Sequence, residues 1–198
     1  AYATQATNMF APLDKNRIPH KVLLDYGFEY TNLKAYNGTL SDSTVVDVPT
    51  LKHIYNTIFS SRVTSATTGF INPNNFDSNW KNRTAGTITV SGLYYKYNAF
   101  INDAINLGKV NFVNNQFQDK FVSGVWQNPY QEFQAFAMAP AISKYEGLSF
   151  TVKIPSTIFY SNYQSLVQSI QIDFGNGAGY VTVPFNQNVT ISYATEGV

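Results

Sequence analysis

Titratable side chains are scarce in this sequence of 198 residues, which contains 12 carboxylates, two histidines and no cysteine. The absence of cysteine excludes disulfides, thiol nucleophiles and thiolate metal sites. His53 falls on the polar face of a predicted helix and His20 follows Pro19 in a predicted turn, so we expect both to be solvated. Two histidines without clustered carboxylates make a poor zinc site. We therefore expect no metal and no cofactor.

The carboxylates are scattered, without an Asp-x-Asp run or a calcium-binding loop. Folding could still bring two of them together as in a glycosidase, whose carboxylate pairs come from distant strands. The candidates for such a pair are Asp25, Glu29, Asp47, Asp103 and Glu132. A surface carboxylate or a turn cap is the commoner role of such residues. Because the Gly-x-Ser-x-Gly, phosphate-binding and dinucleotide-binding motifs are also missing, the sequence favours a protein that is not an enzyme.

Aromatic residues offer the other source of chemistry. They make up 16% of the chain, whereas charged residues make up 13%, about half of the roughly 25% that is usual in soluble domains. Tyr94 and Tyr95 are adjacent and must point to opposite faces of a strand, so some tyrosine is exposed. Exposed Tyr or Trp can stack on a sugar ring or anchor a protein interface. The ligand or interface candidates are Trp80, Tyr94, Tyr95 and Trp126.

Composition also limits the class of protein. A net charge of +1 gives no cationic surface for phosphates, so we expect no nucleic-acid partner. No window approaches 18 consecutive apolar residues, so we do not expect the chain to span a membrane. The small polar residues at 1–7 are typical of a secreted chain after removal of a signal peptide. We therefore expect an extracellular or cell-surface location.

The elements that would position these residues begin with one convincing helix. The apolar residues Leu51, Ile54, Tyr55, Ile58 and Phe59 have helical spacing, and Pro49 fits the first turn. This pattern predicts a helix at about 50–61. The polar stretch 62–83 is interrupted by Gly and Asn-Pro, which predicts a long surface loop.

Strand patterns dominate the remainder of the chain. A strand is predicted from Leu93 into a turn near Asn102, and short β-rich runs separated by Pro or Gly follow at 132–138, 148–154, 167–174, 180–183 and 189–193. This spacing is typical of an antiparallel β-sandwich. We expect a mainly β protein, with a mixed N-terminal segment at 1–108 that contains the helix and a β-sandwich at 109–198. The two segments could also form one continuous domain.

A turn near the C-terminus carries a family resemblance. The segment 169–177 reads Ser-Ile-Gln-Ile-Asp-Phe-Gly-Asn-Gly, and Tyr193 precedes Gly197 by four residues. This pattern resembles the Asp-Phe-Gly-Asp-Gly and Tyr-x-x-x-Gly signatures of polycystic-kidney-disease-type immunoglobulin-like domains. The resemblance implies an immunoglobulin-like sandwich of the kind found on bacterial surface proteins and secreted enzymes. The structural turn residues are Asp173, Gly175, Asn176, Gly177 and Tyr193, with Asn176 where the family usually has Asp.

The turn also has a direct physical interpretation. Gly175 and Gly177 can supply the positive φ of a tight turn, and Tyr193 can place its hydroxyl in the corner that follows a strand. More broadly, stretches 13–19, 23–27 and 154–162 are similar to the N-terminal regions of large secreted surface proteins of Bacteroidetes-type bacteria. That similarity implies a structural role outside the cell.

These observations lead to a functional expectation with two alternatives. We expect a non-catalytic extracellular module for adhesion or assembly, whose partner is another copy of the chain or the remainder of a larger parent chain. The first alternative is a carbohydrate-binding module that stacks a polysaccharide on the candidate aromatic residues. The second is a glycoside hydrolase with dispersed carboxylates.

The end of the sequence suggests how assembly would occur. In the family that the chain resembles, a final strand follows the tyrosine corner, whereas this sequence stops five residues after Tyr193. An uncovered sheet edge invites pairing with another strand. Either the natural chain continues, or a neighbouring subunit donates the strand. Residues 1–10, which we expect to be extended, are the candidate donor.

Overall fold

The computed structural model describes residues 2–24, 33–39, 46–63, 68–81, 86–142 and 144–195. Within these ranges more residues lie in strands than in helices, which confirms the mainly β prediction. The α-helices are α1 (Tyr2–Phe10), α2 (Val48–Ser60) and α3 (Pro73–Lys81), and short 3₁₀ turns occur at Lys15–Arg17, Ser156–Ile158 and Gln164–Leu166. None of the described helices has the length and apolar character needed to cross a bilayer.

The strands follow one another closely after the helices. They are β1 (Thr87–Phe100), β2 (Val110–Val113), β3 (Gln116–Asp119), β4 (Phe121–Val122), β5 (Val125–Trp126), β6 (Tyr130–Pro140), β7 (Ser149–Lys153), β8 (Phe159–Ser161), β9 (Gln171–Asp173), β10 (Tyr180–Thr182) and β11 (Asn188–Ser192). The predicted strand at 167–174 is shorter in the structure, because a 3₁₀ turn precedes it and the pairing of β9 with β10 covers only three residues.

Helix α2 is the one that the sequence predicts. Asp47 caps it by accepting a hydrogen bond from the Thr50 N–H at 2.8 Å, and a proline occupies the first turn. Leu51, Tyr55 and Ile58 lie on one side and are completely buried against the sheet. The apolar stripe and the cap together therefore account for this helix.

Two further helices correct the sequence predictions. Residues 73–81 form α3 rather than a stretch of loop, and the ring of Phe76 stacks on Tyr55 with centroids 4.4 Å apart. Residues 2–10 form α1 rather than an extended donor strand, and Phe10 packs against Phe117 at 5.2 Å. The donor-strand hypothesis is therefore wrong, as is the expectation of a single helix. Both helices are short, with nine residues each, and contacts with distant residues stabilise them.

The main sheet is built around the long strand β1. It pairs antiparallel with β6 along eleven residues and parallel with β7 and β8 on its other side, and β11 adds to β7 in antiparallel fashion. The parallel pairs differ from the antiparallel arrangement that we predicted. They arise because the chain crosses from β6 to the opposite side of β1 before it forms β7. The strand β1 belongs to the predicted N-terminal segment and pairs with three strands of the predicted C-terminal segment.

Alternation along β1 separates two hydrophobic cores. Leu93, Tyr95 and Tyr97 point toward α2 and α3, whereas Val90 and Tyr94 point to the opposite face, which β9 and β10 cover. The sheet is thus covered by helices on one face and by a β-hairpin on the other.

Candidate functional site

Two short β-hairpins lie between β1 and β6. The first joins β2 to β3 through Asn114 and Asn115, which have φ of 52° and 59°, and the second joins β4 to β5 through Ser123 and Gly124, with φ of 49° and 80°. Two consecutive residues with positive φ are the requirement of a type I′ turn, whose twist suits a tight hairpin. Each hairpin is therefore a locally specified unit with a fixed register.

The hairpins and the turn before them expose large apolar side chains. Seven of the eleven exposed large hydrophobic residues in the described portion of the chain lie between positions 105 and 125, and their exposures range from 42% to 64%. Such a concentration marks an interaction surface more often than chance exposure does. We refer to these seven as the apolar hairpin residues: Ile105, Leu107, Phe112, Val113, Phe121, Val122 and Val125.

The base of the hairpins is held by polar contacts. The Trp126 indole N–H donates to Asp119 Oδ1 at 2.7 Å, and Asp119 Oδ2 accepts the backbone N–H of Asp14 at 2.8 Å. The Arg17 guanidinium lies 5.2 Å from the centre of the Phe121 ring. These contacts order the base of the hairpins in the free protein, which lowers the entropy cost of binding a partner.

The charge of this region favours neither a cationic nor an anionic partner. Residues 101–126 contain Asp103, Lys109, Asp119 and Lys120, so the formal charge of the segment is zero. Phosphates and anionic lipid headgroups bind cationic surfaces. The interaction that this region can make is therefore apolar contact.

The structure places the sequence-predicted aromatic residues at separate locations. Tyr95 is fully buried, and its hydroxyl donates to the Gly69 carbonyl. Tyr94 is half-buried on the opposite face, where its hydroxyl donates to Gln134 Oε1 at 3.1 Å. Trp126 is half-buried at the base of the second hairpin, and the side chain of Trp80 lies outside the described residues.

The C-terminal turn has a tight, hydrogen-bonded geometry. Gly175 and Gly177 have φ of 71° and 83°, and the Gly175 N–H donates to Asp173 Oδ1 at 2.9 Å. The side-chain amide of Asn176 donates to a β11 carbonyl at 3.2 Å, and the Tyr193 hydroxyl donates to the carbonyl directly after β9 at 2.5 Å. These contacts link β9 to the end of β11, and the family-pattern residue at 197 lies outside the described residues.

His20 is not solvated as the sequence led us to expect. Its side chain is 8% exposed, with Nε2 lying 2.6 Å from Glu132 Oε2 and Nδ1 lying 3.0 Å from the Tyr163 hydroxyl. The other oxygen of Glu132 accepts from Lys96 Nζ at 2.7 Å. The hydrogen bonds from Lys96 and His20 lower the pKa of Glu132. The backbone places His20 here because its N–H donates to Asn98 on β1. His53 is exposed, as expected.

The described candidate carboxylates all have structural partners. Asp47 caps α2, Asp103 accepts from the Asn106 side chain at 2.7 Å, and Glu132 joins the cluster around His20. Asp25 and Glu29 lie outside the described residues. Across the ranges that the structure describes, no group of three or more His, Asp or Glu side chains is placed to hold a metal ion.

Sequence reasoning missed the apolar hairpin residues, although a signal was present. Asn114-Asn115 and Ser123-Gly124 are two-residue turns of the type that joins hairpin strands, and β-forming residues flank both of them. Which side of each two- to four-residue strand faces solvent depends on packing with α1 and Arg17, which no local pattern reveals.

Comparison with known proteins gives no family. No protein-family model matches the chain, and no curated protein or solved structure matches it.

Proposed function

We propose that this chain is a non-catalytic structural or adhesion module that acts outside the cell and assembles with a second copy of itself through the apolar hairpin residues. The observation that carries the proposal is the concentration of these exposed side chains on two hairpins and the turn before them. A two-fold symmetric dimer brings the same patch of both copies together, so an uncharged apolar surface is complementary to itself.

The free energy gained by burying these side chains is consistent with a dimer of moderate affinity. Each apolar hairpin residue is about half exposed, so burying the remainder contributes about 1 kcal/mol per side chain. Because consecutive strand residues point to opposite faces, about half of these side chains can face one partner, and on two copies they contribute roughly 7 kcal/mol. That gain is comparable with the roughly 4–15 kcal/mol of lost translational and rotational freedom. We therefore expect a reversible dimer whose population depends on concentration.

The proposal includes an immunoglobulin-like sandwich for the second half of the chain. The resemblance of the turn at 169–177 to that family supports it, together with the hydrogen bond by which Tyr193 links the end of β11 to the carbonyl after β9. Further support comes from β9 and β10, which pack over the sheet that contains β7 and β11. The parallel pairs of β1 with β7 and β8 depart from the all-antiparallel pattern of such domains.

One observation favours a non-catalytic module, and two support an extracellular role. The described carboxylates that could act as acid and base are engaged as a helix cap, a turn partner and an ion-pair member. A low content of charged side chains and the resemblance to secreted surface proteins support an extracellular role.

The test is a comparison of two multiple variants. Val113→Thr, Val122→Thr and Val125→Thr together keep the β-branched shape of the hairpin strands but reduce their apolar surface. The matched control is Leu148→Thr with Leu166→Thr, which removes two exposed apolar side chains from other regions of the chain. Light scattering after size exclusion, over a wide concentration range, reports the dimer fraction of each protein.

We expect the wild type and the control to dimerise and the hairpin variant to dimerise at least about tenfold more weakly, a loss of about 1.4 kcal/mol. Circular dichroism should give equal melting temperatures for all three. A wild type that remains monomeric, or a control that weakens as much as the hairpin variant, contradicts the proposal. Binding of the wild type to lipid vesicles with loss of that binding in the hairpin variant assigns the surface to a membrane and also contradicts it.

A further inference from the structure

A second surface, remote in sequence from the hairpins, has the form of a ligand groove. It has a volume of about 540 Å³ and lies between the sheet and the segment that leads into β9. Its lining includes Tyr36, Tyr94 and Phe136 from the segment at 33–39 and the sheet, and Gln168, Gln171 and Tyr180 from the segment that leads into β9 and from the β9–β10 hairpin. The volume lies within the range of roughly 300–1,000 Å³ found for small-molecule sites.

The first, aromatic group of lining residues is positioned by the edge of β6. The Tyr36 N–H donates to the backbone carbonyl of Gln134 at 2.7 Å, and the Tyr36 ring lies 5.3 Å from the ring of Phe136. The side chain of Gln134 accepts the hydrogen bond from the Tyr94 hydroxyl. Two rings are therefore held side by side, and the third is oriented through its hydroxyl group.

The second group of lining residues is polar and more exposed. Tyr180 begins β10 and is 66% exposed, and both Gln168 and Gln171 are exposed. Amide side chains donate and accept hydrogen bonds without carrying charge. Partial burial raises the pKa of Tyr94.

The composition of the groove selects a class of ligand. All of the residues that line it are uncharged, so an anionic ligand gains no ion pair there. A purely apolar ligand would make no use of the exposed amide side chains as hydrogen-bond donors and acceptors. A pyranose ring has apolar C–H faces that stack on aromatic rings and equatorial hydroxyls that bind amides, so it satisfies both groups of lining residues.

We propose that this groove binds a neutral oligosaccharide, with Tyr36 and Tyr180 as stacking platforms and Gln168 and Gln171 as hydrogen-bonding groups. The site is distinct from the apolar hairpin residues and does not depend on dimerisation. It would give an adhesion module a polysaccharide ligand in addition to a protein partner.

The test uses affinity electrophoresis in native gels that contain one polysaccharide at a time. The neutral probes are mixed-linkage β-glucan, xylan and galactomannan, and the anionic probe is polygalacturonate. Tyr36→Ala and Tyr180→Ala remove the platforms, and Tyr180→Phe restores the ring without its hydroxyl. The matched control is Tyr145→Ala, since Tyr145 is 40% exposed and does not line the groove.

We expect at least one neutral polysaccharide to retard the wild type. Each platform-to-Ala variant should bind at least about tenfold more weakly, which corresponds to about 1.4 kcal/mol. Tyr180→Phe should stay within about threefold of the wild type, which is less than 1 kcal/mol, and Tyr145→Ala should be unchanged.

Several results would overturn the inference. They are no retardation by any neutral probe, stronger retardation by polygalacturonate, or equal binding by the wild type and both platform variants. If a platform variant loses its circular dichroism signal, Gln168→Ala replaces it, because that side chain is exposed and its loss leaves the core intact. The hairpin variant should retain polysaccharide binding, which separates a failure of this site from a failure of the dimer.

Discussion

Replacing Tyr55 with Phe isolates one buried hydrogen-bond pair. The Tyr55 hydroxyl donates to the Ile71 carbonyl and accepts the Ile71 N–H, both at 2.7 Å. Tyr55 itself is completely buried between α2, α3 and the sheet. Its hydroxyl therefore ties α2 to the segment that leads into α3.

The expected loss follows from what the substitution leaves behind. The ring and its stacking on Phe76 at 4.4 Å are retained in Tyr55→Phe, so no large cavity forms. The Ile71 N–H and carbonyl each lose their partner in a half-buried setting. An unsatisfied buried group costs about 1–3 kcal/mol, and with partial access to water we expect a total of about 2–3 kcal/mol.

Urea unfolding followed by circular dichroism measures this loss. The free energy of unfolding should fall by that amount with an unchanged m-value, since the exposed surface on unfolding is the same. Tyr94→Phe is the matched control, because it removes one hydrogen bond between half-buried side chains and should cost about 1 kcal/mol or less. A loss below about 0.5 kcal/mol for Tyr55→Phe, a typical effect of a surface substitution, would refute the reasoning.

Three further outcomes are expected. Burial raises the pKa of Tyr55 to about 12, so stability present below pH 10 should be lost as pH rises toward 12, and Tyr55→Phe should reduce that loss in alkaline melting curves. The lowered pKa of Glu132 gives stability that is present above its ordinary pKa of 4.5 and lost on acidification; Glu132→Gln should flatten the acid side of the profile, and an unchanged profile would contradict this. Gly69 has φ of 78° and its Cβ would meet the Ser161 carbonyl, so Gly69→Ala should destabilise by more than the roughly 1 kcal/mol expected for Gly86→Ala, where φ is 76° and the space is open; equal midpoints of unfolding would show that the contact is unimportant.

A helix could be predicted from the sequence when local residues stabilise it, and not when contacts with distant residues do. Helix α2 has an apolar stripe and a proline within its thirteen residues and an Asp cap directly before them, so periodicity sufficed. The helices α1 and α3 depend on contacts such as those of Phe10 and Phe76 with rings distant in the sequence. Local pattern carries little of that information, and both segments were predicted to be non-helical.

The candidate sites also divide into features that local sequence predicts and features that depend on distant residues. The local φ requirement of Gly175 and Gly177 was visible in the sequence and is found in the turn. The burial of His20 depends on Asn98 and Glu132, which are 78 and 112 residues away. The groove proposed for a saccharide likewise joins Tyr36 to Tyr180, which are far apart in the sequence.

The most direct test of hairpin-mediated assembly is site-specific photo-crosslinking. A photoreactive phenylalanine analogue at position 125 reports contacts of the second hairpin, and the same analogue at position 148 reports another exposed apolar site. After irradiation and proteolysis, mass spectrometry identifies the crosslinked peptides. We expect position 125 to yield covalent dimers joined to residues 105–126 of the second copy, and position 148 to yield few. An absence of dimers, equal yields at both positions, or crosslinks from position 125 to other regions would contradict the account.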